Sequence, residues 1–468
     1  MSSVAVRNNL STVIDAVLAG DSSAIERTAH ETISQAEDAS ELLGKIGLLA
    51  MNGDTDGHTT LTLAAASVLC RWLIALRHVL GEDTEGQATG LPLVVQALTA
   101  AIPAVQAGQK VSPTYPEALF PSSLPEDETV GSAIQKAVFA SDVTTVERLL
   151  FGLYGTGADY RTLSIRIYDA IAHIFQEGGH ALQLAVRGSQ LLDSIEWGED
   201  APHYIHWLTP HLPIHEEEPG WTEVIRTFLS EAGHDLGSYR TRISMPRNEN
   251  ALPLRALLLS DASTAQVCQG VYDALIKNGA SAHAVGSVIS LAASDLLQTI
   301  NDEDHDLFVH AAHGLLYTSA ARTTYTQVQE VEGLPLLFTA ASYINLLHKE
   351  LTKQASSNKT AHHASAGGGL IAPALLESLH QQIIAQDITG ALSISRRYFQ
   401  LGHDAAALFS VIGLGAAQVD ANADAGHTLQ IVQAAGEEYM AWPKELAATN
   451  IEGFLLIALR AATQGQRS

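Results

Sequence analysis

Two stretches of this chain can be laid over one another without a gap: residues 132–159, SAIQKAVFASDVTTVERLLFGLYGTGAD, and residues 377–404, ESLHQQIIAQDITGALSISRRYFQLGHD. Ala140, Asp142, Thr144, Gly157 and Asp159 recur as Ala385, Asp387, Thr389, Gly402 and Asp404, each 245 residues further on. A second match, GLPLVV from Gly90 and GLPLLF from Gly333, lies 243 residues apart in the other part of each half. One copy alone would leave an apolar face open, so duplication implies that the copies pair or stack. The repeated unit is helical: apolar residues recur at three- and four-residue spacing, as in TVERLLFGLYG, strict alternation is scarce, and Ala and Leu abound. The expected fold is all-α, an internally duplicated bundle of four related quarters. Residues 1–250 form the first half and 251–468 the second, packed as one body. A quarter is much longer than a tetratricopeptide or HEAT unit, which favours a pseudo-symmetric bundle over a thin solenoid.

Each quarter carries a histidine at a helix start, after a Gly or Asp break: His58 in TDGHTT, His180 in EGGHAL, His305 in DEDHDL and His427 in DAGHTL. The half-to-half spacing is 247 residues for both pairs and the spacing within each half is 122. Equivalent positions in a pseudo-symmetric bundle can meet around one axis, and bundle metal sites are built from inward side chains on facing helices. His58, His180, His305 and His427 are therefore candidate metal ligands, with His173 seven residues before His180 and Asp420 seven before His427. His310 and His313, three apart on one helix, join the set, because such a pair can hold one ion together. Asp54, Asp56, Glu177, Asp304 and Asp306 sit in the breaks and can complete a mixed shell. Neutral imidazole suits iron, copper or zinc. The competing reading is that these histidines belong to a capping turn that duplication copied.

A second group, PHYIHWLTPHLPIHEEEP, holds His203, His206, His211 and His215, but prolines interrupt it and it reads as a solvated connection. His362 and His363, in KTAHHASAGGG, read as part of a loop. GLYGTG from Gly152 follows a helix rather than a strand and reads as a glycine-capped helix end, not a nucleotide loop. No Walker loop, Rossmann fingerprint, HExxH or GxSxG is present. Lys and Arg total 26 against 51 Asp and Glu, a net charge of −25 that disfavours nucleic acid and anionic membranes as partners. Cys70 and Cys268 lie in apolar helical runs and read as core thiols. The opening MSSVAVRNNLSTVIDAVLAGD lacks a basic leader region, and no run reaches about 18 uninterrupted apolar residues. A soluble cytoplasmic protein is expected.

The passage EGGHALQLAVRGSQLLDSIEWGEDAPHYIHWLTPHL resembles a stretch of bacterial helical proteins that occur beside, or fused to, Rieske iron–sulfur domains. Gly178, Gly179, His180, Leu191, Leu192, Asp193, Ile195 and Trp197 carry the match, and the other quarters join it through the repeat. This chain has no Rieske domain of its own, since two cysteines do not supply the Cys and His ligand pairs. The resemblance implies redox chemistry at a non-haem metal, with electrons from a separate partner or from the substrate. The leading expectation is a non-haem iron oxidoreductase, an oxygenase or oxidase, acting on a small organic molecule, with another transition metal as the variant. The alternatives are a non-catalytic helical scaffold or binding module, and a cofactor-independent helical enzyme with one histidine as base.

Overall fold

The computed structural model describes residues 3–33, 39–80, 90–195, 198–239, 247–327, 331–354 and 371–464. Trp197, His362 and His363 lie outside these residues. The chain is all-α, with no strand among the described residues. The first half runs α1 (Ser3–Ala19), α2 (Ser22–Ile33), α3 (Ser40–Ala50), α4 (His58–Leu80), α5 (Leu91–Gly108), α6 (Val130–Phe139), α7 (Val143–Gly155), α8 (Tyr160–Ile171), α9 (His180–Leu192), α10 (Ala201–Leu208) and α11 (Trp221–Gly237). The second continues with α12 (Pro253–Leu258), α13 (Thr264–Tyr272), α14 (Ala282–Leu297), α15 (His305–Gln327), α16 (Pro335–Gln354), α17 (Ala372–Ile384), α18 (Ile388–Gln400), α19 (Ala405–Ala416), α20 (His427–Met440) and α21 (Glu452–Gln464).

The residues matched between the two halves perform the same local work. Asp142 starts α7 by accepting from the Thr145 N–H at 3.0 Å, and Asp387 starts α18 by accepting from Gly390 at 2.9 Å. Asp159 caps α8 at 2.8 Å through Thr162, and Asp404 caps α19 at 2.7 Å through Ala406. The residue before the first cap of each pair is left-handed, Ser141 at φ 56° and Gln386 at φ 58°. GLYGTG closes α7: Gly157 is left-handed, and the Ala158 N–H reaches back to the Leu153 carbonyl at 3.2 Å.

At the centre α4 packs on α9, α9 on α15, α15 on α20 and α20 on α4, a closed ring of four helices. Outer helices sheathe it: α3, α5 and α19 lie on α4, α8 on α9, α14 and α16 on α15, and α21 on α20. One apolar core runs without a break from Leu10 to Ala462 and so crosses residue 250. Two ion pairs stitch the ring: Arg187 of α9 meets Glu437 of α20 at 2.7 Å, and Arg322 of α15 meets Glu438 of α20 at 2.6 Å. Arg322 and Glu438 side chains are 4% and 0% exposed, so losing either partner strands a charge at a cost of about 3–5 kcal/mol. Cys70 and Cys268 are both free and buried. Two described helices, α4 and α5, are long and apolar enough to cross a membrane, and 72% of the apolar window of α4 is buried within the protein.

Glycines in left-handed turns separate backbone strain from crowding. At Gly157, φ 79°, an added Cβ meets nothing within 4 Å; at Gly179, φ 85°, it would stand 2.1 Å from Tyr317 Cδ2. Gly157→Ala should therefore cost only the left-handed penalty, about 1–2 kcal/mol. Gly179→Ala adds overpacking of a buried ring and should cost about 2–5 kcal/mol in total. Urea denaturation of the two variants checks the difference.

Candidate functional site: a four-histidine cluster

Three of the four central helices begin on the histidine itself. The residue before each is a left-handed glycine, Gly57, Gly179 and Gly426, which turns the chain into the helix and sets the ring at its N-terminal end. The rings of His58 and His180 have centroids 5.1 Å apart, His180 and His313 5.5 Å, His313 and His427 4.9 Å, and His427 and His58 5.6 Å. The cycle of rings follows the cycle of helices, α4 to α9 to α15 to α20 and back.

The fourth ring is His313, not His305. His305 opens α15, whereas His313 lies eight residues later, about 12 Å along the axis. The next layer has the same register. The residues three on from His58, His180, His313 and His427 are Leu61, Gln183, Leu316 and Gln430, and all four line one small internal space with Arg187 and Gln433. The first turns of α15 therefore project beyond the ends of the other three helices. Gly178 lies against α15 at the level of the rings, where a Cβ would touch His313 Cδ2 at 3.4 Å.

The rings are held from outside the cluster. His427 Nδ1 donates to the Asp424 carbonyl at 2.5 Å, and His313 Nδ1 to the Val309 carbonyl at 3.1 Å. A hydrogen bond at the Glu177 backbone engages the His180 ring. Asp56 Oδ2 lies 3.3 Å from His58 Nδ1, outside hydrogen-bond geometry, and Asp56 Oδ1 accepts from the His58 backbone N–H at 3.1 Å. Carbonyls only accept, so Nδ1 carries the proton in His313 and His427, and Nε2 carries the lone pair. Those two Nε2 atoms face each other at 3.2 Å.

Burial, helped by the neighbouring rings, disfavours the charged form of His180, His313 and His427. Burial, then the neighbouring His313 and His58, push His180 down to about 3. Burial and His427 take His313 to about 4, and burial lowers His427. Three helix N-termini at the cluster add positive potential in the same direction.

A cavity of about 610 Å³ opens beside the cluster, lined by His58, His180 and His313 together with Asp56, Glu177, His211, His215, His310 and Tyr343. Behind Tyr343, the rings of Phe175 and Tyr317 form an aromatic wall, with Phe175 4.6 Å from Tyr343 and 5.4 Å from Tyr317. His211 and His215, read from sequence as a solvated connection, belong to this cavity, and burial takes His211 to about 4. His206 is used elsewhere, with Nδ1 2.5 Å from Glu147 Oε1. Of the other residues singled out from sequence, His310 lines the cavity and reaches toward Glu350 at 3.9 Å. His305 and His173 stand outside the ring cycle; His173 gives its carbonyl to Arg226 at 3.1 Å. Asp54, Asp304 and Asp420 are engaged by backbone N–H groups at Thr60, Leu307 and Asn422. Tyr343 and Arg187 carried no sequence signal as site residues. Among the described residues no group of three or more His, Cys, Asp or Glu side chains has the geometry of a metal site.

The neutral rings make acid stability testable. An unfolded histidine takes up its proton near pH 6.5. Folded His180 resists to about 3, and His211 and His313 to about 4. Between these values the unfolded chain binds more protons, so stability is full above about pH 6.5 and falls as the pH drops toward 4. In chelator, His313→Gln should flatten that loss, measured by urea midpoints between pH 7 and pH 4.5.

No family model, curated protein or solved structure matches this chain.

Proposed function

We propose that the chain is a non-haem metal-dependent oxidoreductase acting on a small organic molecule in the cavity, with His58, His180, His313 and His427 binding the metal. One observation carries the reading: His313 and His427 direct two Nε2 lone pairs at each other across 3.2 Å. Neutral rings in that arrangement repel, and a shared proton is opposed by the burial that holds His313 near 4. A cation between them removes the conflict. Two nitrogens bonded to one ion at about 2.1 Å, with angles of about 90–110°, stand about 3.0–3.4 Å apart. The ring pairs of His58 and His180 meet edge to face, so ligation by all four requires these two to turn about χ2. The outward Nδ1 bonds of His313 and His427 are the partners that fix tautomer and ring direction in metal-binding histidines.

All-imidazole donors suit iron, copper and zinc, and iron accords with the redox chemistry that the Rieske-associated resemblance implies. When bound, iron or copper would supply one-electron chemistry next to the cavity, which zinc would not. The chain supplies the His313 and His427 Nε2 lone pairs without a proton to displace and, in Tyr343, an aromatic ring at the cavity that a small organic molecule can lie against, braced from behind by Phe175 and Tyr317. A separate electron-transfer partner or the substrate is the source of electrons. The lack of three preset donors favours a second reading, a non-catalytic scaffold whose four rings simply pack.

Metal analysis of untagged protein separates the two. Near one iron, copper or zinc per chain is expected, lost in His313→Ala and His427→Ala but kept in His305→Ala. Folded, metal-free wild-type protein would establish the scaffold, and loss in His305→Ala with retention in His313→Ala would refute the ligand set.

A further inference from the structure

The layer beneath the four rings divides by helix. Gln183 and Arg187 come from α9 and Gln430 and Gln433 from α20, while α4 and α15 contribute Leu61 and Leu316; together they close an internal space of about 10 Å³. In the cycle of central helices α9 and α20 stand opposite each other, as do α4 and α15. One diagonal of the ring is therefore polar at this level and the other apolar. All four polar side chains are buried, so bulk solvent satisfies none of them.

Their hydrogen bonds leave a definite remainder. The Gln430 amide donates to the Ala425 carbonyl at 3.2 Å, and the Gln433 amide donates to Glu437 Oε1 at 3.1 Å. Both partners only accept, which fixes the two amide orientations and leaves each Oε1 as an acceptor. Arg187 donates to Gln190, Glu437 and Ser319, which takes three of the five N–H groups of a guanidinium. Gln183 is 3% exposed, and its Nε2 has no hydrogen-bond partner among the described residues. A buried amide donor without an acceptor is unfavourable, and such groups in protein cores are ordinarily satisfied.

We propose that the internal space is a binding site for one water molecule, which accepts from Gln183 Nε2 and Arg187 and donates to the Oε1 atoms of Gln430 and Gln433. Size and chemistry select water together. One water needs about 10–15 Å³ of such space, and an organic molecule needs far more. Two donors and two acceptors complement a molecule that both donates and accepts twice. A halide ion is larger and would set its charge against two amide oxygens. The water joins α9 to α20 across the diagonal of the ring, one layer above the Arg187–Glu437 bond that spans the same two helices. It requires no metal, so it stands or falls separately from the metal reading.

Two measurements on the full wild-type chain test the site. In a high-resolution crystal structure grown from bromide, one oxygen should lie about 2.7–3.2 Å from Gln183 Nε2, with no anomalous signal. In solution, the Gln183 side-chain amide protons should show cross-relaxation with a long-lived bound water, on an amide signal assigned by its loss in Gln183→Met. Should that variant not fold, selective labelling of glutamine with assignment through the backbone identifies the same signal. Gln183 Nε2 seated on a protein acceptor, no water contact at its protons, or a bromide peak in the space would each overturn the proposal.

Discussion

The architecture turns on a left-handed residue followed by a histidine at the start of a buried helix. The positive φ of Gly57, Gly179 and Gly426 aims the next ring along the bundle end instead of into solvent. At Gly179 and Gly426 there is no room for a side chain, with a Cβ at 2.1 Å from Tyr317 and 1.9 Å from Thr62 respectively. Glycine is needed there twice over, for conformation and for space. Because α4, α9 and α20 share this device and pack around one axis, their rings meet, and the bundle end becomes a concentrated set of basic nitrogens in low dielectric.

Much of this was legible in the sequence. Helical spacing gave an all-α chain, and the Asp and Gly positions matched across the halves proved to be caps and helix ends with like geometry, such as Asp142 and Asp387. The Gly-His starts identified three of the four rings. The fourth was misaligned because His305 has the right spacing but begins a helix that extends two turns past the others. His313 was singled out for its spacing from His310 on one helix, not for a place in the ring, but a signal for that place exists. HDLFVH carries charged and histidine residues between its apolar ones, whereas AAHGLLYTSAA has no charged residue and is buried apart from half-buried His313, and the change marks where α15 enters the core. His211, His215 and Tyr343 were not legible as site residues, since they reach the cavity by tertiary packing from segments remote in sequence.

Below the rings the polar character continues. Gln183 and Gln430 occupy the next layer, and Arg187 links Glu437, Gln190 and Ser319 one turn deeper. Gln183 Nε2 has no hydrogen-bond partner among the described residues, but the bonds of Arg187 tie α9, α15 and α20 to one register. That register keeps His313 level with the other three rings. A slip of α15 by one turn would move its histidine about 5 Å and dissolve the cluster.

The central claim is that His313 and His427 present bare Nε2 lone pairs to each other. Long-range proton–nitrogen correlation NMR of the histidine rings, on chelator-treated protein at pH 7, reads this directly. The account predicts that both rings carry their proton on Nδ1, with Nε2 signals in the unprotonated range that shift when zinc is added. An Nε2-protonated ring at either position, unchanged by zinc, would contradict it.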